Sequence, residues 1–171
     1  MRLIAVIATL IAATAPAAAQ GWAEYAYPRD AFTVAFPTDP KIETTTYQGA
    51  DGRVVEARVY SVTQDGSKFR MLVADFPDEA TAEAAVLDHA VKTLSEGGEI
   101  KLDIPHRISR VYGRQLSIVG PEGSRSMAAV FYYNRRLYLI EGKALPGFAD
   151  ASSGAIRFQQ SLVFTDEGTN R

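Results

Sequence analysis

Residues 125–144, RSMAAVFYYNRRLYLIEGKA, constrain the fold more than any other stretch. Two runs rich in Val, Ile, Tyr, Phe and Leu flank Asn134-Arg135, the pattern of two strands joined by a tight turn. With those two residues at the turn, Tyr132 faces Leu137, Val130 faces Leu139 and Ala128 faces Glu141. On the other face Phe131 meets Tyr138, Ala129 meets Ile140 and Met127 meets Gly142. Both faces are mostly apolar. A hairpin with one wet face alternates apolar with polar residues, so this pair is expected in the middle of a sheet covered on both sides.

The covers can be sought in the rest of the chain. Ala80, Ala84, Leu87, Val91 and Leu94 recur at steps of four and three and predict a helix over 78–96. Asp78 is its expected N-cap and Gly97-Gly98 its stop. Ala151, Ala155, Phe158 and Leu162 mark one face of a second helix, from an N-cap at Asp150 to about Leu162. Elsewhere the period is two. An opening strand or ordered arm is expected at 22–27, and strands at 32–36, 42–47, 54–62, 69–76 and 100–104, the last interrupted by Pro105. One or two further segments are expected within 108–119, around Gly113. Short hairpin-like connections predict a mainly antiparallel sheet of about six to eight strands covered by two helices, an α+β fold.

The N-terminus reads differently. Arg2 is followed by an apolar run over 3–13, broken only by Thr9, and then by Pro16-Ala17-Ala18-Ala19. A short positive region, an apolar stretch and a small-x-small site describe a signal peptide over 1–19, cleaved after Ala19. The apolar run is short for a membrane span, and no charged stop-transfer flank follows it. The expected organisation is this leader, one domain over 20–165 and a flexible tail over 166–171. A periplasmic or secreted location follows, without stable membrane insertion after cleavage. The chain has no Cys, so neither disulfides nor a lipid-modified cysteine are available.

Loss of 1–19 removes Arg2 from 18 basic residues and leaves all 20 acids, moving the net charge from −2 to about −3. That balance argues against nucleic acid or an anionic membrane as a main partner. Catalytic and metal signatures are missing as well. His89 and His106 lie far apart, with no metal-ligand spacing. There is no nucleophile elbow and no phosphate-cradling glycine loop, and Gly123-Ser124-Arg125-Ser126 reads as a turn. No catalytic residue, metal site or cofactor is expected.

Two features depart from a plain folded core. His106, Arg107, Arg110, Arg114, Arg125, Arg135 and Arg136 concentrate positive charge, interleaved with Tyr112, Tyr132 and Tyr133. The functional reading is a surface for anions, because arginine forks suit planar oxyanions. The plainer reading is a set of solvated strand ends and turns pointing in different directions. The second feature is Glu141, which falls within the apolar hairpin and, if buried, needs a partner such as a nearby Arg or Tyr hydroxyl. The candidate ligand- or partner-binding set is therefore His106, Arg107, Arg110, Arg114, Arg136 and Glu141.

The order of elements resembles the Mog1/PsbP-like α/β/α sandwich family. The resemblance is carried by Phe32-Thr33-Val34-Ala35-Phe36-Pro37 with Pro40 following, the Asp51-Gly52 turn, and the helix ending at Gly97-Gly98. Arg136-Leu137-Tyr138-Leu139-Ile140 and the closing Phe158-Gln159-Gln160-Ser161-Leu162-Val163-Phe164 complete it, over nearly all of the chain after residue 19. The resemblance implies an α/β/α sandwich and a non-enzymatic accessory role. No residue carries over the photosystem or GTPase associations of individual members. Three functions then compete. One is a non-catalytic envelope module holding a protein partner. Another is a small-ligand or lipid pocket lined by Phe131, Tyr138 and their neighbours. The third is a carboxylate-based hydrolase.

Overall fold

A computed structural model describes residues 21–77 and 82–165. Ten strands form two antiparallel sheets. β1 (Ala23–Tyr27) and β2 (Phe32–Phe36) pair with each other, and β10 (Val163–Phe164) joins β2 on its other side. The larger sheet contains β3 (Lys41–Gln48), β4 (Val54–Gln64), β5 (Ser67–Asp75), β6 (Glu99–Ile108), β7 (Val111–Val119), β8 (Arg125–Tyr133) and β9 (Arg136–Ala144). Its order is β3-β4-β5-β9-β8-β7-β6. The helices are α1 (Glu83–Leu94), between β5 and β6, and α2 (Ser152–Gln160), before β10.

The β8–β9 hairpin has the predicted register at all six named pairs, from Tyr132↔Leu137 to Met127↔Gly142. Asn134 and Arg135 both adopt positive φ, 49° and 61°, as a two-residue hairpin turn of this twist requires. β9 is the central strand of seven, so the hairpin lies where its two apolar faces demand. On one face Phe131, Tyr138 and Ile140 pack with Phe32, Val34 and Phe36 of β2 and Phe158 and Leu162 from the C-terminal segment. On the other, Ala128, Val130, Leu137 and Leu139 pack with Val86, Ala90 and Val91 of α1. The result is an α/β/α layering in which one outer layer is α2 together with the small sheet. Full burial of Phe131, Tyr138 and Phe158 contributes on the order of 1.5–3 kcal/mol each.

Several local expectations are corrected. The first strands pair in a sheet of their own, because β2 presents Phe32, Val34 and Phe36 to the large sheet as a face and not as an edge. Pro105 does not end a strand. β6 runs through it from Glu99 to Ile108, which an edge strand tolerates because one side of its backbone has no strand to bond. One continuous strand, β7, carries Gly113 in its interior. The second helix begins after a 3-10 turn, Ala149–Ala151, so Ala151 stands at its N-cap in place of Asp150. The expected cap of the first helix, Asp78, and the leader and tail segments lie outside the described residues.

α2 presses closely on the sheet. A Cβ at Gly142 would meet the Cα and the carbonyl oxygen of Ala155 at 2.6 Å, so β9 and α2 can approach only because that position has no side chain.

Candidate functional site

The predicted basic set is divided by the pleat of the sheet. Arg107 and Arg114 point to the α1 face, where their strand neighbours Leu116 and Asp103 also lie. His106 points to the opposite face and packs on Phe131 at 5.7 Å between ring centroids. Burial against that ring pulls its pKa below the usual histidine value. Arg107 lies over Tyr112 at 5.8 Å. Arg110 is exposed in the β6–β7 turn beside Ser109, whose φ is 54°. Arg114 is committed to acids: its Nε donates to Asp103 at 2.9 Å and its Nη1 to Asp88 of α1 at 2.7 Å. Arg136 donates to Asp75 at 2.9 Å and to the Arg29 carbonyl at 3.0 Å. These five side chains do not line one site.

Arg136 instead belongs to a buried network with no counterpart in the sequence reading. Asp30 is fully buried and Arg58 is 5% exposed. Arg58 Nε donates to both carboxylate oxygens of Asp30, at 2.9 and 2.8 Å, and its Nη1 reaches Asp75 at 2.7 Å. The Tyr60 hydroxyl also donates to Asp30, and the Tyr138 hydroxyl donates to the Asp30 carbonyl at 3.0 Å. Burial opposes the charge on Arg58, but its bonds to Asp75 and Asp30 outweigh that and raise its pKa. Burial likewise opposes ionisation of Asp75, and Arg58 and Arg136 overcome it, leaving the Asp75 pKa below the usual carboxylate value. The network ties the turn before β2 to the large sheet. Its groups are saturated with one another, which suits an anchor better than a binding site.

Glu141 has a different setting. It lies on the α1 face, as its strand alternation requires, and accepts a hydrogen bond from Ser126 at 2.7 Å. Glu141 is half-buried, and its partner is a serine hydroxyl. Glu141 also lines an open groove of about 1220 Å³. The groove exists because α1 packs over β8 and β9 and leaves the β3–β4–β5 half of the same face without a helix. Glu43, Thr45, Val59, Arg70, Leu72, Leu139, Glu141 and Lys143 form its floor, and His89, Lys92, Thr93 and Glu96 its wall.

Within the groove some charges are neutralised and others are not. Lys41 pairs with Glu43 at 2.8 Å. The His89 ring nitrogen Nε2 lies 2.9 Å from the Gln48 carbonyl, and its ring meets Tyr47 edge-on at 6.0 Å. Register sets half-buried Arg70 directly across from Glu141, yet no ion pair or hydrogen bond engages the Arg70 guanidinium among the described residues. The Tyr47 hydroxyl is buried beside the Thr93 side chain, and among the described residues no hydrogen bond of normal geometry engages it. Burial raises its pKa, and the Thr93 hydroxyl and, more weakly, the Arg70 charge draw it partly back. Arg70, Tyr47 and Lys143 escaped the sequence reading, although Arg70 shares a strand face with Leu72 and Ala74 and carried the same signal as Glu141.

Phe131 and Tyr138, expected to line an apolar pocket, are fully buried in the core. Among the described residues no cluster of three or more His, Asp or Glu could hold a metal, and no helix is long and apolar enough to cross a membrane.

Among known proteins, no family model and no curated protein matches the chain. Its fold does match solved structures. The solution structure of cyanobacterial PsbP (CyanoP) from Synechocystis sp. PCC 6803 superposes with a TM-score of 0.59 at 11% identity, over 90% of this chain and 98% of that one. A Pseudomonas aeruginosa protein of unknown function superposes with a TM-score of 0.41 at 10% identity, over 79% of this chain and 90% of that one. The chain has the PsbP/Mog1-like fold.

Proposed function

We propose that the chain is an exported, non-catalytic accessory module of the bacterial envelope that holds a segment of a protein partner in the groove beside α1. The observation that carries this reading is the groove itself. At about 1220 Å³ it exceeds the usual range of an enclosed small-molecule pocket, and it is open along its length. Its floor mixes threonines, charges and single aliphatic side chains, the composition of a polar recognition surface more than of a lipid cavity. It borders β3, an edge strand whose outer backbone groups have no strand partner among the described residues, an arrangement that another chain can extend. The signal-peptide-like pattern over 1–19 supports export, and the absence of Cys is compatible with it. The PsbP/Mog1-like fold supports a role other than catalysis.

Photo-crosslinking in cells tests the proposal. A crosslinking amino acid at Thr45, exposed on the groove floor, should capture one defined envelope protein. The same probe at Val163, exposed on the small sheet, should not. Equal yields at both positions, or none at Thr45, would overturn the reading.

A further inference from the structure

The two edges of the large sheet are built differently. β6 carries Pro105 and a register shift between Ile100 and Leu102, two devices that blunt an edge against further pairing. β3 has neither. It pairs with β4 without a break from Lys41 to Gln48, and Thr44, Thr45 and Thr46 at its middle are good strand formers. The ladder also identifies which backbone groups of β3 face outward. The Gly49 N–H donates to the Arg53 carbonyl at 2.8 Å, one step beyond the Gln48↔Val54 pair, so Gly49 is turned toward β4. In an antiparallel ladder this direction alternates, which turns Tyr47, Thr45, Glu43 and Lys41 toward β4 and Gln48, Thr46, Thr44 and Ile42 outward. The Gln48 carbonyl fits that alternation, since it meets His89 Nε2 at 2.9 Å. Among the described residues no backbone hydrogen bond engages the outward N–H and C=O groups of Ile42, Thr44 and Thr46.

We propose that β3 pairs antiparallel with β3 of a second copy of this chain, about a two-fold axis through Thr44. In that register Thr44 faces Thr44 of the second copy and Ile42 faces its Thr46, so each hydrogen-bonded pair joins two outward residues. The strand ends favour this register over its neighbours. Gln48 falls opposite Pro40, which has no N–H to offer, and the Gln48 carbonyl needs none because His89 holds it. Centring the axis on Thr45 sets the Ile42 N–H against that occupied carbonyl. Centring it on Glu43 sets Pro40 against Thr46, whose carbonyl then finds no donor. The side chains agree with the pairing. On the groove face Glu43 faces Thr45 and Lys41 faces Tyr47, so no like charges stand directly opposite. Glu43 meets its own copy only on the diagonal, and Lys41 neutralises each at 2.8 Å. On the other face Ile42, 55% exposed, gains cover from Thr46. A two-fold dimer requires a patch that complements itself in this way. An unrelated strand would gain nothing from the match of Pro40 to Gln48. The axis runs through the sheet from face to face, so both α1 helices lie on one side and the two grooves face the same way.

Cysteine crosslinking tests the register, because the chain has no Cys and an introduced thiol is unique. In Thr44→Cys the two Cα atoms stand about 5.5 Å apart across the axis, within disulfide reach. In Gln48→Cys they stand about 27 Å apart, at about 3.4 Å per strand residue. Under mild oxidation of the purified full chain, Thr44→Cys should form a covalent dimer at least about tenfold faster than Gln48→Cys. Sedimentation equilibrium of the wild-type chain should show a species of twice the chain's mass that grows with concentration. Thr44→Lys sets two ammonium groups opposite each other at an exposed position. It should remove that species and leave the far-ultraviolet circular dichroism unchanged. Equal oxidation rates in the two cysteine variants would overturn the proposal, as would a dimer that persists in Thr44→Lys. A wild-type chain that stays monomeric up to about 1 mM would overturn it too, even if Thr44→Cys captures a different envelope protein in cells. The groove reading is tested separately by the Thr45 crosslink, in which a second copy gives an adduct of twice the chain's mass and a groove partner does not.

Discussion

Asp30 shows how one residue can join two layers. It sits in the 3-10 turn Pro28–Asp30, immediately before β2, and its carboxylate meets Arg58 and Tyr60 of the large sheet. Breaking a buried ion pair leaves an uncompensated charge, at a cost of about 3–5 kcal/mol. Asp30→Asn should therefore lower unfolding free energy by about 3 kcal/mol, since Arg58 retains Asp75. Asp39→Asn, which replaces the exposed carboxylate acceptor of the Tyr25 hydroxyl by a neutral amide oxygen, should cost no more than about 0.5 kcal/mol in the same urea titration. The acid side of the stability profile follows from two other residues. Asp75 has a depressed pKa when folded, so its contribution is complete above its unfolded value of about 4 and is lost as pH falls through the folded value. His106 also has a depressed folded pKa, so its contribution is complete above about 6.5 and declines as pH falls through the folded value. Urea midpoints should fall in two stages between pH 7 and pH 3. The upper stage should vanish in His106→Phe and the lower should shrink in Asp75→Asn.

The β8–β9 hairpin was legible because its information is local. Alternation, turn residues and cross-strand register depend only on neighbours a few positions away, and every named pair formed as expected. The contact it makes with α2 was not legible. Gly142 reads in sequence as one more small strand residue, and only the approach of Ala155 to 2.6 Å of its missing Cβ shows why it is small. Gly142→Ala should destabilise the chain by about 1–3 kcal/mol, toward the upper end because the colliding atoms are backbone. Thermal unfolding would measure this, and a neutral result would mean that α2 can slide along β9. Pro105 illustrates the reverse error. A proline reads as a break wherever it occurs, and its tolerance in β6 depends on the strand being an edge, a property of the sheet order and not of the segment.

The whole molecule is a seven-stranded sheet with unlike covers. α1 shields part of one face, and the small sheet with α2 shields the other. The small sheet has three short strands and is tied down by aromatic contacts such as Phe32 to Tyr60 and by the Asp30 network. It should open before the large sheet. In hydrogen exchange, amides of β1 and β10 should exchange at least about tenfold faster than those of β8 and β9, and equal protection would indicate one cooperative unit. The groove also belongs to this scale. It arises where a single helix of twelve residues meets a sheet too wide for it to cover.

The α+β class, the central hairpin with its register and both helices follow from the chain's own periodicity, because burying one face of a strand or helix imposes a repeat that survives in the residue order. The separate small sheet, the Asp30–Arg58–Asp75 network and the groove around Arg70 do not follow from it. Each depends on residues brought together across long sequence separations, such as Asp30 with Arg58 and Tyr138, whose meeting no local period records. The dispersal of His106, Arg107, Arg110, Arg114 and Arg136 has the same origin. Clustering along the chain places residues near one another, but the pleat and the turns send their side chains to opposite faces.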